Sequence, residues 1–152
     1  MIQRKQTLYM LAAFLVTAAC LCLPVGEIEP AGMGVSAVVY NLLTRQPDTM
    51  ASYANFPLFV FLLLSCPVVW AAIFSYRRRK LQARLCTLNI VLLLAWYVYL
   101  GFCWLGIFQI DGHTFHVKVA AGFPLIAIIL YVMARKGILD DEKLVRAADR
   151  IR

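Results

Sequence analysis

Four long stretches without a charged interior constrain this chain of 152 residues more than any other feature. They cover residues 7–25, 56–76, 85–108 and 117–134, and Lys118, the one charged residue among them, stands near an end. An α-helix of about 20 apolar residues, rising about 1.5 Å per residue, crosses the roughly 30 Å hydrocarbon core of a bilayer. The pattern therefore predicts four transmembrane helices.

The composition indicates the same class of protein. The chain is 62% apolar and 15% charged, whereas soluble domains are usually about 45–50% apolar and about 25% charged. A soluble domain of this size leaves too much surface exposed to hide such an excess. The net charge of +7 does not predict a nucleic-acid partner, because the basic residues flank the apolar stretches, as they do in membrane proteins.

The distribution of charge predicts that both termini are cytoplasmic. In that orientation 13 of the 15 basic residues and four of the eight acids lie inside, a net charge of +9, and the outer segments carry −2. Basic loops are retained on the cytoplasmic side of a membrane. The alternative is a cleaved signal peptide, since residues 17–20 (TAAC) are similar to a lipoprotein cleavage site. Apolar sequence that continues to Val25 argues against cleavage.

The segments between the spans are expected to include a small extracytoplasmic β element. Residues 35–40, in a loop over residues 26–55, are rich in β-branched side chains and predict a strand. Asp111 and Gly112 predict a hairpin between the third and fourth spans. A tight basic turn over residues 77–84 joins the second and third spans. Pro67 is expected to kink the second span.

Residues 137–152 form a polar tail beyond a transmembrane domain of residues 1–136. Asp140 is a candidate N-cap, and apolar residues recur after it at helical spacing. The tail therefore predicts a separate amphipathic cytoplasmic helix, which needs a membrane surface or a protein to lie against. The fold class expected is an all-α membrane protein, a bundle of four transmembrane helices with this tail and the outer β element.

Few side chains in the spans could carry chemistry. Their interiors lack Asp, Glu, Arg and His, which counts against a proton-coupled transporter or pump. Polar residues such as Ser65 are interpreted as hydrogen-bonding partners between helices. A small transporter or lipid-handling protein, with a site around Pro67, Asn89 and Pro124, is the alternative. The cysteines are interpreted as apolar packing residues rather than a disulfide framework: Cys20, Cys22, Cys66, Cys86 and Cys103.

Asp111, His113 and His116 are the loop residues that could form a catalytic or metal-binding group. Imidazole and carboxylate are common metal ligands, but the odd spacing of the two histidines would place them on opposite faces of a strand. The motifs of zinc proteases, serine hydrolases and P-loop proteins are missing from the sequence. The sequence therefore predicts no enzyme, no metal and no cofactor.

The candidate contact residues lie at the cytoplasmic ends instead. The basic turn could bind an acidic partner or a lipid, although a topology signal explains it as well. The tail could dock near residues 2–6 or on a partner. The residues predicted to contact a partner or lipid are Arg77, Arg78, Arg79, Lys80, Leu144, Val145, Arg146, Asp149 and Arg150.

Both ends of the chain carry a family resemblance. The opening MIQRKQTLY and the closing DEKLVRAADRIR resemble the termini of a family of four-helix membrane proteins of Bacteroidota, domain of unknown function 4293. The resemblance implies the inner membrane of a Gram-negative cell, and it implies no activity. A looser likeness to claudin-type four-helix proteins, whose paired cysteines and tryptophan motif are missing here, suggests that the strand at residues 35–40 pairs with the Asp111–Gly112 hairpin.

The leading hypothesis is a non-enzymatic inner-membrane protein, an accessory or assembly component of a larger complex. It rests on two polar, motif-bearing termini that an even number of crossings brings to one side. The hypothesis leaves the partner and the oligomeric state open.

Overall fold

A computed structural model describes residues 5–30, 35–45, 52–76, 78–108 and 114–149 of the chain. Four long helices and a small sheet account for most of them. The helices are α1 (Lys5–Cys22), α2 (Phe56–Phe74), α3 (Arg79–Cys103), which continues into a π-helical turn (Trp104–Phe108), and α4 (Phe123–Asp149), which follows a 3₁₀ turn (Val119–Gly122). The strands are β1 (Gly26–Glu29), β2 (Ala37–Val39), β3 (Thr44–Arg45) and β4 (Thr114–Val117).

All four helices are long and apolar enough to cross a membrane, as the sequence predicted. Only 22–28% of each apolar window is buried inside the bundle, so most of the apolar surface faces outward. Val98 and Leu15, for example, are 75% and 60% exposed. A soluble protein rarely exposes a continuous apolar belt of this extent, and such a surface is typical of helices that are surrounded by lipid.

The helices form a ring in which α1 neighbours α2 and α4, and α3 neighbours the same two helices. Each helix buries one stripe of residues spaced alternately three and four apart, the repeat of left-handed bundle packing. On α3 the buried stripe includes Cys86, Asn89, Leu93 and Trp96. Trp96 is the largest fully buried side chain among the described residues and fills the core.

The helix boundaries differ from the predictions in three main places. The fourth helix begins at Phe123 rather than at residue 117, because Val117 ends β4. The third helix starts at Arg79 rather than at residue 85, so the basic turn is much shorter and Lys80 and Arg84 are helical. Basic side chains favour a helix. The polar tail is also not a separate helix, because α4 runs without a break to Asp149 and Asp140 lies inside it. Gly137 costs helix stability but does not end a helix that tertiary contacts hold.

The four strands form one antiparallel sheet in the order β3-β2-β1-β4. The predicted strand is present at Ala37–Val39, but its predicted pairing with the Asp111–Gly112 hairpin was wrong. It pairs with β1, which lies between it and β4, through Gly26↔Val39 and Ile28↔Ala37. The short connection between β1 and β2 makes them neighbours, which leaves the other edge of β1 to β4. The predicted hairpin turn at Asp111–Gly112 lies outside the described residues.

Hydrogen bonds join the sheet to the helix ends. Val25, just after α1, donates its backbone N–H to Val39 O at 2.8 Å and accepts from Lys118 N at 2.9 Å. The Lys118 Nζ also lies 2.7 Å from Glu27 Oε1 on β1. The five cysteines are free, and Cys20, Cys86 and Cys103 are buried packing residues, as predicted; Cys22 is exposed.

Candidate functional site

The starts of α1 and α3 and the last turns of α4 meet at one end of the bundle, called here the polar end. Gln6 Nε2 donates to Asp141 Oδ2 at 2.8 Å, and the Arg79 guanidinium donates to the Asp141 backbone oxygen at 2.6 Å. Gly137 allows this approach, because a Cβ there would lie 3.0 Å from Gln6 Cγ. We call these contacts the Asp141 clasp. They fix the last turns of α4 to two other helices.

The clasp confirms part of the predicted docking of the tail on the start of the chain. The contact is made at Gln6, and residues 1–4 lie outside the described ranges. Sequence alone predicted docking near residues 2–6 but did not pair Asp141 with Gln6. An acid and an amide on polar termini are common, and only the antiparallel packing of α1 against α4 places them together.

The predicted contact residues divide into three groups in the structure. Arg78 and Lys80 are exposed at the start of α3, whereas Arg79 is held in the clasp. Leu144 and Val145 are 70% and 45% exposed on the last turns of α4. The described residues do not include Arg77 and Arg150, and the described side chains do not include those of Arg146 and Asp149.

Side chains of α3 and α4 also line a groove at the polar end, with a volume of about 220 Å³. Its lining includes Lys80, Arg84 and Arg135. Sequence reasoning included Arg84 in the basic turn of residues 77–84 but did not consider Arg135, because the relative rotation of α3 and α4 cannot be derived from either helix alone. The one available signal was the i, i+4, i+7 spacing of Lys80, Arg84 and Thr87.

A polar cluster lies in the middle of the bundle, where the alternative hypothesis placed a substrate site. Ser65 Oγ donates to Asn89 Oδ1 at 3.0 Å, and both residues are fully buried, as is Tyr131 on α4. The Asn89 side chain therefore serves as a hydrogen-bonding partner between α2 and α3, as predicted. Pro124 is not in this cluster. It occupies the first turn of α4, where a missing N–H costs nothing.

The sheet end carries the residues considered for catalysis. His116 is exposed on β4, and its Nε2 lies 3.4 Å from Glu29 Oε2. Asp111 and His113 lie outside the described residues. Among the residues that the structure describes, no group of three His, Cys, Asp or Glu side chains could hold a metal ion.

A second polar group at this end holds the sheet on the bundle. Asn41, between β2 and β3, is fully buried. Its Nδ2 donates to Cys20 O at 2.6 Å, and its Oδ1 accepts from Trp96 Nε1 at 3.0 Å. Pro24 explains the first bond. The carbonyl of Cys20 would normally accept from the N–H four residues on, and proline has none.

Residues 2–151 match the model of a protein family described as a domain of unknown function, DUF4293. The match includes both termini, where the sequence resemblance was found. No curated protein matches the chain. The description of the family names no activity, so the function has to follow from the geometry of the two ends and of the spans.

Proposed function

This chain belongs to the DUF4293 family, whose description names no activity. We propose its function from the contacts and exposed side chains at the polar end of the bundle. The protein is a non-enzymatic accessory or assembly component of an inner-membrane complex. Both termini lie in the cytoplasm, and the last turns of α4 contact a protein partner.

The observation that carries this proposal is an exposed apolar pair on a fixed helix. Leu144 and Val145 are 70% and 45% exposed, and the Asp141 clasp lies about one turn before them. A free tail of this length would be a marginal helix. The clasp supplies the missing stability, so that the pair is presented in one geometry before a partner arrives.

The continuity of α4 favours a protein partner over a membrane surface. Leu144 stands nine residues beyond Arg135, the first charge after the apolar part of α4. At about 1.5 Å per residue this distance is about 14 Å. A helix that continues a span projects away from the bilayer, and lipid cannot then cover the pair. A helix lying in the membrane plane would need a break after the span.

Replacing Leu144 and Val145 together with serine is expected to release the protein from its complex. Two partly exposed apolar side chains supply on the order of tenfold or more in affinity when a partner buries them. On a native gel in mild detergent, the double variant should migrate as the free protein while its membrane level is unchanged. Lys143→Ser is the matched control, because Lys143 lies on the same turn and its exposed ion pair with Asp140 contributes little. Unchanged migration of the double variant would refute the docking role.

The orientation can be tested with two single cysteines in a Cys22→Ser background. Val35, in the loop before β2, is 61% exposed, and the Lys143 side chain is 78% exposed at the polar end. A membrane-impermeant maleimide added to spheroplasts should label Val35→Cys and leave Lys143→Cys unlabelled until the membrane is opened. The asymmetry of basic residues is the physical reason. The reverse pattern would overturn the cytoplasmic assignment of both ends.

The transporter alternative has less support. Asn89 has no exposed surface and is hydrogen-bonded to Ser65, so a polar path would require α2 and α3 to separate. An enzymatic role would need Asp111, His113 and His116. Replacement of all three with alanine is expected to leave the function of the complex intact. Loss of function in this triple variant, with normal assembly of the complex, would favour catalysis.

A further inference from the structure

The groove between α3 and α4 at the polar end is a strongly charged concave surface. Lys80, Arg84 and Thr87 line it from α3, and Arg135 and Glu142 line it from α4. Three cations and one acid give the lining a net charge of +2. We propose that this groove binds the headgroup phosphate of an anionic phospholipid.

Within the residues that the structure describes, the side chains of Lys80, Arg84 and Arg135 form no hydrogen bond or ion pair. Other basic side chains at the two ends of the bundle do form such contacts: Arg79 donates to the backbone oxygen of Asp141, and Lys118 forms an ion pair with Glu27. Like charges held close together repel one another, and an anion placed between them removes that cost.

The two arginines lie at similar depths. The contact between Arg79 and Asp141 sets the register of the antiparallel helices α3 and α4, so Arg135, six residues before Asp141, lies near the level of residue 85, next to Arg84. Both lie about 6–8 Å further along α3 than Lys80, at about 1.5 Å per residue. A phosphate at Arg84 and Arg135 would therefore sit at the boundary between the charged groove and the apolar part of the spans, which is the depth of a lipid headgroup.

An apolar strip continues the groove toward the middle of the bundle. On α3 the positions that follow Thr87 at the same helical spacing are Val91, Leu94 and Val98, all at least half exposed. On α4 Val132 continues the line of Arg135 and is also about half exposed. A ligand with an anionic head and hydrocarbon chains matches both parts, and soluble phosphate matches only the first. At about 220 Å³ the groove is smaller than a typical pocket for a drug-sized molecule, so it suits a headgroup whose chains lie outside it.

The test compares lipid binding to two double variants of the full chain by native mass spectrometry from mild detergent. The groove variant carries Arg84→Gln and Arg135→Gln. The control carries Arg78→Gln and Lys136→Gln, which remove the same charge from exposed positions that do not line the groove. Phosphatidylglycerol is the anionic probe, phosphatidylethanolamine the zwitterionic probe, and inorganic phosphate the soluble competitor.

We expect wild type to retain phosphatidylglycerol in preference to phosphatidylethanolamine. The groove variant should lose at least about tenfold in affinity, since a basic residue in contact with an anionic lipid adds about 1 kcal/mol or more. The control should lose about threefold or less, because Arg78 and Lys136 do not line the groove and cannot contact a headgroup bound in it. Equal losses in both variants, or equal binding of both lipids, would overturn the site. Displacement by millimolar inorganic phosphate would assign it to a soluble anion and overturn the lipid.

A conservative variant guards against misfolding as the cause of lost binding. Arg84→Lys with Arg135→Lys keeps both charges and should retain most of the phosphatidylglycerol binding. Failure of this variant to bind, with normal size-exclusion behaviour, would contradict recognition by charge. The outcome is independent of the proposed complex, because the Leu144 and Val145 variant leaves the groove untouched and should bind lipid as wild type does.

Discussion

Replacing Gly26 with alanine is expected to destabilise the protein by about 2–3 kcal/mol, the upper part of the range for overpacking a tight site. Gly26 lies on β1 between Val39 and Val117, and the ring of Phe115 lies directly over it. A Cβ at this position would overlap Phe115 Cζ and Cε2 and would lie 2.9 Å from the backbone oxygen of His116. The ring can move, but the backbone of β4 can retreat only by breaking its pairing with β1.

Titration of the purified protein with a denaturing detergent, followed by tryptophan fluorescence, measures this loss of unfolding free energy. Gly101→Ala is the matched control, because nothing lies within 4 Å of a Cβ at Gly101 on α3. Alanine there should leave stability unchanged or raise it by up to about 1 kcal/mol. Adding Phe115→Leu to Gly26→Ala should recover part of the loss. A stability equal to wild type for Gly26→Ala alone would show that β1 and β4 are not packed this closely.

Replacing Asn41 with alanine is expected to cost about 3 kcal/mol. The change leaves two buried groups without partners, the Trp96 Nε1–H and the carbonyl of Cys20. Each unsatisfied buried group costs about 1–3 kcal/mol. The carbonyl has no alternative donor in its own helix, because Pro24 stands where the N–H would be. We expect the sheet to loosen from the bundle before the bundle itself unfolds.

Hydrogen exchange and a double-mutant cycle check this expectation. Amides of β2 and β3 should exchange faster in Asn41→Ala, whereas those in the middle of α3 should keep their protection. Trp96→Phe removes the donor to Asn41, and the cycle should give a coupling energy of about 1 kcal/mol. Additive single losses would contradict a direct bond between the two side chains.

The helices were predictable where the signal is local. A charge-free apolar stretch must find lipid or a core, so the number of spans follows from hydropathy alone. The ends were not predictable in the same way. Arg79 and Lys80 are compatible with either a turn or a first helical turn, and the continuation of α4 past Gly137 depends on Gln6 and Arg79, which are distant in sequence.

The sheet and the candidate site were predicted only in part. The strand at Ala37–Val39 has the β-branched composition of a strand, whereas β1 has four residues with two glutamates and no such signal. Nothing local indicates that β1 separates β2 from β4. The same limit applied to the site, since the predicted basic residues were chosen as a run along the chain and the groove takes its cations from two helices.

By itself, then, the sequence determined that this protein has four apolar helices, which ends carry the positive charge, and that the interiors of the spans lack Asp, Glu, Arg and His. These properties depend on the order of residues and on the cost of charge in hydrocarbon. The tertiary structure alone decided that Asn41 reaches Cys20 and Trp96, that Asp141 reaches Gln6 and Arg79, and that Arg84 and Arg135 line one groove. Such contacts depend on the rotation and register of each helix, which are set by packing over all its neighbours together.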